Sequence, residues 1–296
     1  CVRYFERDKG GSMIRGVYLD LYAGEGKRGG AWMDASRGRR RFTTVDKIGQ
    51  MQTPVAYLVC NFTPPVGGKE ARLSHDEIIT LFHETGHGLH HLLTQVDELG
   101  VSGINGVEWD AVELPSQFME NFVWEYDVLA EMSAHEENGA PLPRVLFDKM
   151  VAAKNFQRGM FMVRQMEFAL FDMQIYSQSE QSRLNEWPQV LEAVRREVSV
   201  VQPPAYNRFA LSFGHIFAGG YSAGYYSYSW AEVLSADAYA AFEESDDVKA
   251  TGKRFWQEVL AVGGSRSAME SFKAFRGREP QIDALLRHSG FDADAA

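Results

Sequence analysis

Hydrophobic positions along the chain change their period near residue 65. Before that point, "IRGVYLDLYA" (14–23) and "PVAYLVCNF" (54–62) are dense in β-branched and aromatic residues and bounded by Gly or Pro, which predicts two strands. The glycine-rich "GEGKRGGAWMD" between them reads as a loop. After Pro64-Pro65 the spacing turns helical. Ser74 and Glu77 form a capping-box signature, with Asp76 favourable in the same first turn. Ile78, Leu81, Phe82, Leu89, Leu92, Leu93 and Val96 then recur at helical intervals. A second helix is predicted from between Asp110 and Pro115 to about Ala134, and a long one from Arg144 to about Tyr176. Further helices follow around 187–199, 230–245, 252–261 and 280–288. The fold class expected from this pattern is mainly α with a small β-sheet near the N-terminus. Residues 1–65 form a strand and Gly-rich portion, and 66–296 a helical one.

Composition narrows the partners. The 296 residues carry a formal net charge of −10, and an acidic balance argues against nucleic acid, whose backbone asks for a basic face. The short run Arg37 to Arg41 reads as a solvated loop. Two cysteines, Cys1 and Cys60, can build neither a disulfide framework nor a Cys-based metal knot, so a reducing, cytoplasmic compartment is expected. Residues 209–231 lack Asp, Glu, Lys and Arg, but they are full of Gly, Ser and Tyr. They read as a buried or cleft-lining segment rather than a membrane span. Gly24 to Gly29 satisfies G-x-G-x-x-G after a strand, yet no amphipathic helix follows to hold a pyrophosphate, so no dinucleotide site is expected.

The chemistry concentrates in "LFHETGHGLHH" (81–91). His83 and His87 are four apart, which on a helix sets them on one face about 6 Å apart, close enough to share an ion. Glu84 stands next to the first of them, where a general base belongs if a bound metal activates water. His90 shares the face, but ligands at i, i+4 and i+7 would span about 10.5 Å of straight helix and could not converge on bonds of about 2 Å. A third ligand must come from another element, and the next acidic cluster offers Glu108, Asp110, Glu113, Glu120 and Glu125. Glu113, Gln117 and Glu120 make a polar stripe on a helix that otherwise carries Phe118, Met119, Phe122 and Trp124. A carboxylate near the start of that helix, backed by further polar groups, suits a ligand with its supporting partners, and the bland alternative for Glu113 is the return half of a capping box with Asp110. Glu120 reads as a hydrogen-bond partner or a solvated charge, and His90 and His91 as satisfied or solvated histidines.

Four blocks together resemble the M3 zinc metallopeptidases: "LFHETGHGLHH", "GVEWDAVELPSQFMENFVWE", "GHIFAGGYSAGYYSYSWAEVLSADAY" and "FKAFRGREPQIDALLRHSG". They occur in the family's order and approximate spacing, and "ELPSQFMEN" separates this family from other His-Glu-x-x-His proteins. The resemblance implies a zincin-type metallopeptidase catalytic domain with one Zn2+ per chain, held by His83, His87 and Glu113. It implies Glu84 as general base and proton shuttle, with His215, Tyr221 and Tyr228 contacting substrate or steadying the oxyanion. Short peptides are the implied substrates, with neither nucleic acid nor membrane as partner. Tyr225 and Tyr226 are expected to fill space or line the cleft. Gly24 stands where the resemblance leads one to expect an arginine. The family's N-terminal helical region, which walls a channel that admits only short peptides, is expected to lie outside this sequence. The alternative expectation is a zinc-binding fragment that holds peptides without turnover.

Overall fold

The computed structural model describes residues 2–291, leaving Cys1 and residues 292–296 outside the described part. Its strands all lie before residue 63. They are β1 (Val2–Arg7), β2 (Met13–Tyr22), β3 (Trp32–Arg37), a short ribbon of β4 (Arg40–Arg41) with β5 (Met51–Gln52), and β6 (Val55–Phe62). The main sheet runs β1-β2-β6-β3, with β2 and β6 parallel and both outer strands antiparallel to their neighbours. Both predicted strands are present. The structure adds β1, whose side chains are all exposed and so lack a buried face to mark it, and β3, which begins inside the stretch read as a glycine-rich loop.

Helix α1 (His75–Leu92) starts where the capping signature put it, with Ser74 and Glu77 exchanging both bonds of the box. The same Glu77 carboxylate accepts from the Thr63 amide, which ties the end of β6 to the start of the helix. Gly88 lets α1 lie down on β6, since a Cβ there would sit 3.1 Å from a Leu58 methyl. The apolar positions of α1 divide between two clusters. Ile78, Ile79 and Phe82 join Val123, Leu129 and Phe147, while Leu89 and Leu93 pack on the largest core, around Phe118, Tyr239, Phe255 and Phe272.

The predicted helix through 110–134 is three pieces: α2 (Leu114–Glu120), a 3₁₀ stretch Asn121–Trp124, and α3 (Tyr126–Met132). The Asn121 side chain donates to the carbonyls of Gln117 and Phe118 and competes with the helix ladder, and Glu125 is extended. Phe118 anchors α2. It is buried and stacked on Phe255 at 4.2 Å, a burial typically worth about 1.5–3 kcal/mol.

The long predicted helix also divides, into α4 (Arg144–Lys154) and α5 (Arg158–Tyr176). At the break Gln157 adopts a left-handed conformation, φ 55°, and Gly290 closes on the Asn155 side chain. The break is thus made by tertiary packing, with neither Pro nor Gly at 155–157 to announce it. The rest follows as α6 (Glu180–Val198), α7 (Gly214–Ala218), α8 (Ser227–Glu243), α9 (Val248–Phe255) running into a π-turn at Trp256–Leu260, α10 (Ala268–Arg276) and α11 (Asp283–His288).

The basic run is not a solvated loop. Arg39 and Arg41 both bond the Asp97 carboxylate, at 2.9 and 2.6 Å, and fasten the segment after β3 to the chain beyond α1. Among the described residues, no helix is long and apolar enough to cross a membrane.

Candidate metal centre and active site

Helix α1 presents His83 and His87 one turn apart, their rings 5.0 Å from each other. The start of α2 brings Glu113 against both. Its Oε2 lies 3.1 Å from Nε2 of His83 and 3.1 Å from Nε2 of His87. This close approach depends on Gly86, which lies between the two histidines. A Cβ at that position would stand 2.3 Å from the Pro115 carbonyl oxygen and 2.5 Å from Ser116 Cα.

The donor set fits a small divalent cation. The three candidate ligand atoms all lie within 4.8 Å of one another. Contacts of 3.1 Å approach the edge of a tetrahedron whose centre-to-corner bonds are about 2 Å. Electrostatics point the same way. Burial alone would lower the His83 imidazole, but its hydrogen bonds to Glu113 and Glu120 carry it up to about 10. Burial opposes ionisation of Glu113, yet His87 and His83 hold its carboxyl well below the usual range. The surroundings therefore favour positive charge where the three side chains meet.

Two of the three donors are held in turn by a neighbour, while Nδ1 of His87 is buried without a partner. Ser116 Oγ donates to Glu113 Oε2 at 2.7 Å. Glu120 Oε1 lies 2.6 Å from His83 Nδ1, which leaves Nε2 facing inward and orients the ring. The Gln117 amide donates to the Tyr228 carbonyl at 3.0 Å. The polar stripe 113-117-120 is thus used at every position. Glu113 caps nothing with its side chain, so the capping-box reading with Asp110 does not hold.

Glu84 is buried and its Oε2 has no protein partner. Burial pushes its carboxyl up, and the His83 and His87 charges offset that only in part. An unpartnered acceptor of raised pKa beside two imidazoles can take and return a proton near neutral pH.

The segment from α7 to the first turn of α8 supplies the remaining side chains. The Tyr221 hydroxyl donates to Glu113 Oε1, and the Tyr221 and Tyr228 rings stack at 4.9 Å. Burial first, and then the Glu113 charge, raise both phenols above their ordinary value, so both remain donors. His215 closes the group, its ring 6.0 Å from Tyr221 and 5.9 Å from Tyr228. Burial lowers its imidazole, with Glu113 and Arg28 acting in opposite senses. Tyr225 packs on the core around Phe171, Ile175 and Ile216, while Tyr226 is 43% exposed. A cavity of about 370 Å³ opens beside His83, lined by Gln117, Glu120, Tyr225 and Tyr228 together with Lys154 and Arg158.

His91 meets the expectation of a satisfied histidine, and His90 departs from it. Both are buried. His91 Nε2 meets the Arg37 carbonyl at 3.0 Å, whereas neither ring nitrogen of His90 has a protein partner. His90 is therefore neither solvated nor satisfied by the protein.

The glycine-rich loop is tied down by side chains at both ends. Lys27 Nζ donates to the carbonyls of Asp20 and Tyr22, and Asn61 to those of Arg28 and Gly30, so the loop is pinned across the ends of β2 and β6 before entering edge strand β3. Trp109 went unnoticed in the sequence, although its ring lies 4.8 Å from Tyr221's and fills the space that Gly224 leaves. So did Asp172. No sequence pattern pairs either with the tyrosines.

A helix that bears two histidines and a glutamate, met by a glutamate from the next helix and faced by tyrosines, defines a metallopeptidase-like centre. The model of peptidase family M3 matches residues 2–291, and the chain belongs to that family. It is 54% identical over 291 residues to oligopeptidase A of Salmonella typhimurium, covering 98% of this chain and 42% of that protein. It is 46% identical to the organellar oligopeptidase A of Arabidopsis thaliana, covering 100% of this chain and 38% of that protein. With saccharolysin of Saccharomyces cerevisiae it shares 35% identity, over 95% of this chain and 39% of that protein. The chain thus spans less than half the length of these relatives. Among solved structures, PZ peptidase A with inhibitor 2 superposes with a TM-score of 0.60 at 16% identity, covering 92% of this chain and 42% of that one. A Pyrococcus furiosus carboxypeptidase gives 0.57 at 16% identity, covering 93% and 53%. These last two likenesses concern the fold.

Proposed function

We propose that this chain carries the catalytic apparatus of a zinc-dependent oligopeptidase that hydrolyses short peptides. The observation that carries the reading is the convergence of His83, His87 and Glu113 beside the unpartnered Glu84 oxygen. Zinc is the natural occupant of a two-histidine, one-carboxylate set, and when bound it supplies Lewis acidity and lowers the pKa of a water toward about 7.

The chain's own residues do the rest. Glu84 accepts the proton of the attacking water and returns it to the leaving amine. Tyr221 and Tyr228 donate to the scissile carbonyl oxygen as negative charge builds on it, and His215, held neutral, can add an N–H. One such donor is typically worth about 10² to 10³ in rate. No covalent intermediate is needed, and Cys60, buried in β6 with its thiol pushed up to about 12 by burial and by the Glu84 charge, is no nucleophile. Sheet and helices act as one catalytic unit, because α1 is seated on β6 and held there by Glu77. No observation favours a fragment that binds peptides without turnover.

The test is hydrolysis of a quenched fluorescent peptide by this chain with zinc, with Glu84→Gln as control. We expect turnover that chelation abolishes and zinc restores. In Glu84→Gln, kcat should fall by about 10² to 10⁴ at unchanged zinc stoichiometry. Turnover that survives either treatment contradicts the reading.

A further inference from the structure

Asp172, deep in α5, is fully buried at 0% exposure. Its Oδ1 accepts from the Ala223 amide and its Oδ2 from the Tyr225 amide, both at 2.9 Å. Burial pushes its carboxyl up, and the amides of Tyr225, Ala223 and Gly224 pull it back only in part. No Lys or Arg is ion-paired with it among the described residues. Its immediate sequence neighbour Phe171, with Ile175, Phe213 and Ile216, makes an apolar core beneath the turn. A carboxylate kept in such a place without a counter-ion is costly unless hydrogen-bonded, and here its bonds are the amides of one short turn.

That turn joins Tyr221 to Tyr228. Ala223 sits at φ 52°, in the left-handed region that a residue with a side chain seldom adopts. Alternating hands along successive residues aim neighbouring amides at one point and form an anion-binding concavity. Asp172 fills it from below. From the other side the Trp109 indole closes on the turn: a Cβ at Gly224 would lie 2.7 Å from its Cδ1, and one at Gly220 3.4 Å from its ring. The turn is clamped between a buried carboxylate and an indole four residues before the candidate ligand Glu113.

We propose that Asp172 is a positioning residue: by holding the amides of Ala223 and Tyr225, it fixes the turn that carries the Tyr221 hydroxyl to Glu113 and sets the Tyr228 ring against Tyr221. The inference rests on the reading of those tyrosines as oxyanion donors. It touches neither substrate nor metal and acts through the tyrosines alone.

Asp172→Asn is the sharpest variant, because it keeps the shape but sets an NH₂ against a backbone N–H. Zinc-supported peptide hydrolysis by the full chain should show kcat lowered about ten- to hundredfold, as a displacement near 1 Å can cause, with KM within about threefold and zinc stoichiometry unchanged. In a Tyr221→Phe/Tyr228→Phe background the same change should cost less than about threefold, since residues acting as a unit are not additive. A kcat within twofold of the parent, or a full additive loss in the double background, overturns the proposal while the donor reading stands. Full activity of the tyrosine double variant overturns the donor reading and this proposal together. Hydrogen exchange on the unmodified chain decides the anchoring independently of any variant's folding. The Ala223 and Tyr225 amides should exchange at least about a hundredfold slower than an open loop, and exchange at open-loop rates overturns the proposal.

Discussion

Helix α1 and the segment from His215 to Tyr228 both bring side chains to Glu113, and they are built on opposite plans. In α1 the spacing of one regular element places His83, Glu84 and His87, and a single glycine lets the neighbouring helix close in. The 215–228 segment crosses from α7 through a tight turn into α8. Its geometry is imposed from outside, by Asp172 below and Trp109 at the side. A metal site needs ligand atoms fixed to a few tenths of an ångström, which a packed helix provides. Donors that meet charge as the carbonyl is attacked can sit outside a regular element, provided that packing and hydrogen bonds from elsewhere fix the segment that carries them. On this account a perturbation of the ligands of α1 or of its packing registers in metal binding and stability, while one at Glu84 or in the tyrosine segment registers in rate.

The largest effect expected from the tyrosine side comes from Tyr228→Phe. It removes one hydroxyl and keeps the ring stacked on Tyr221. Peptide hydrolysis should lose about 10² to 10³ in kcat, with zinc affinity and melting temperature unchanged. A matching loss of zinc would erase the distinction between the two regions.

The counterpart on the α1 side is Gly86→Ala. Alanine is the better helix former by about 1 kcal/mol, so propensity alone predicts a gain. The 2.3 Å approach to the Pro115 carbonyl decides otherwise, because backbone on both sides cannot yield cheaply. The variant should unfold more readily in denaturant by about 1–3 kcal/mol and bind zinc more weakly. A stabilised variant with parental zinc affinity would show that α1 and α2 are not packed as described.

The smallest effect concerns His90, on α1 but outside the ligand set. Burial, with the neighbouring His87 and His91, holds its imidazole down at about 3, against about 6.5 in an unfolded chain. Between those values the unfolded chain binds a proton that the folded chain refuses. Stability therefore falls as pH drops through that window, by up to about 1.4 kcal/mol per pH unit from this group, and is unaffected above it. Urea unfolding of metal-free protein at pH 7.5 and 5.0 should show a shallower pH dependence for His90→Leu than for the parent. Equal slopes would mean that His90 is not held neutral.

The same contrast explains what could be read from the sequence. Periodicity and capping chemistry foretold α1 from Ser74 onward and set the two histidines with their glutamate on it, because these rest on contacts three or four residues apart, and local β-branched and aromatic density foretold both inner strands of the sheet. Glu113 stood among five acidic candidates until the resemblance singled it out, since its partners lie on another helix. The breaks at Asn121 and Gln157 escaped because a side chain competing for carbonyls and a distant glycine make them. Helix α10 was overlooked although Ser267 and Glu270 carry a cap signal. Asp172 escaped for the most general reason: a buried acid in an amphipathic helix shows its purpose only when the amides it serves, 51 and 53 residues away, are in view.

The most direct test of the centre itself is X-ray absorption at the zinc edge of the zinc-loaded chain. One zinc per chain is expected, with two imidazole nitrogens at about 2.0–2.1 Å, the rest of the shell oxygen and no sulfur. His87→Gln should leave one imidazole, and Glu113→Gln should leave both while weakening binding. A shell containing sulfur, or one that keeps two imidazoles after His87 is replaced, would contradict the account.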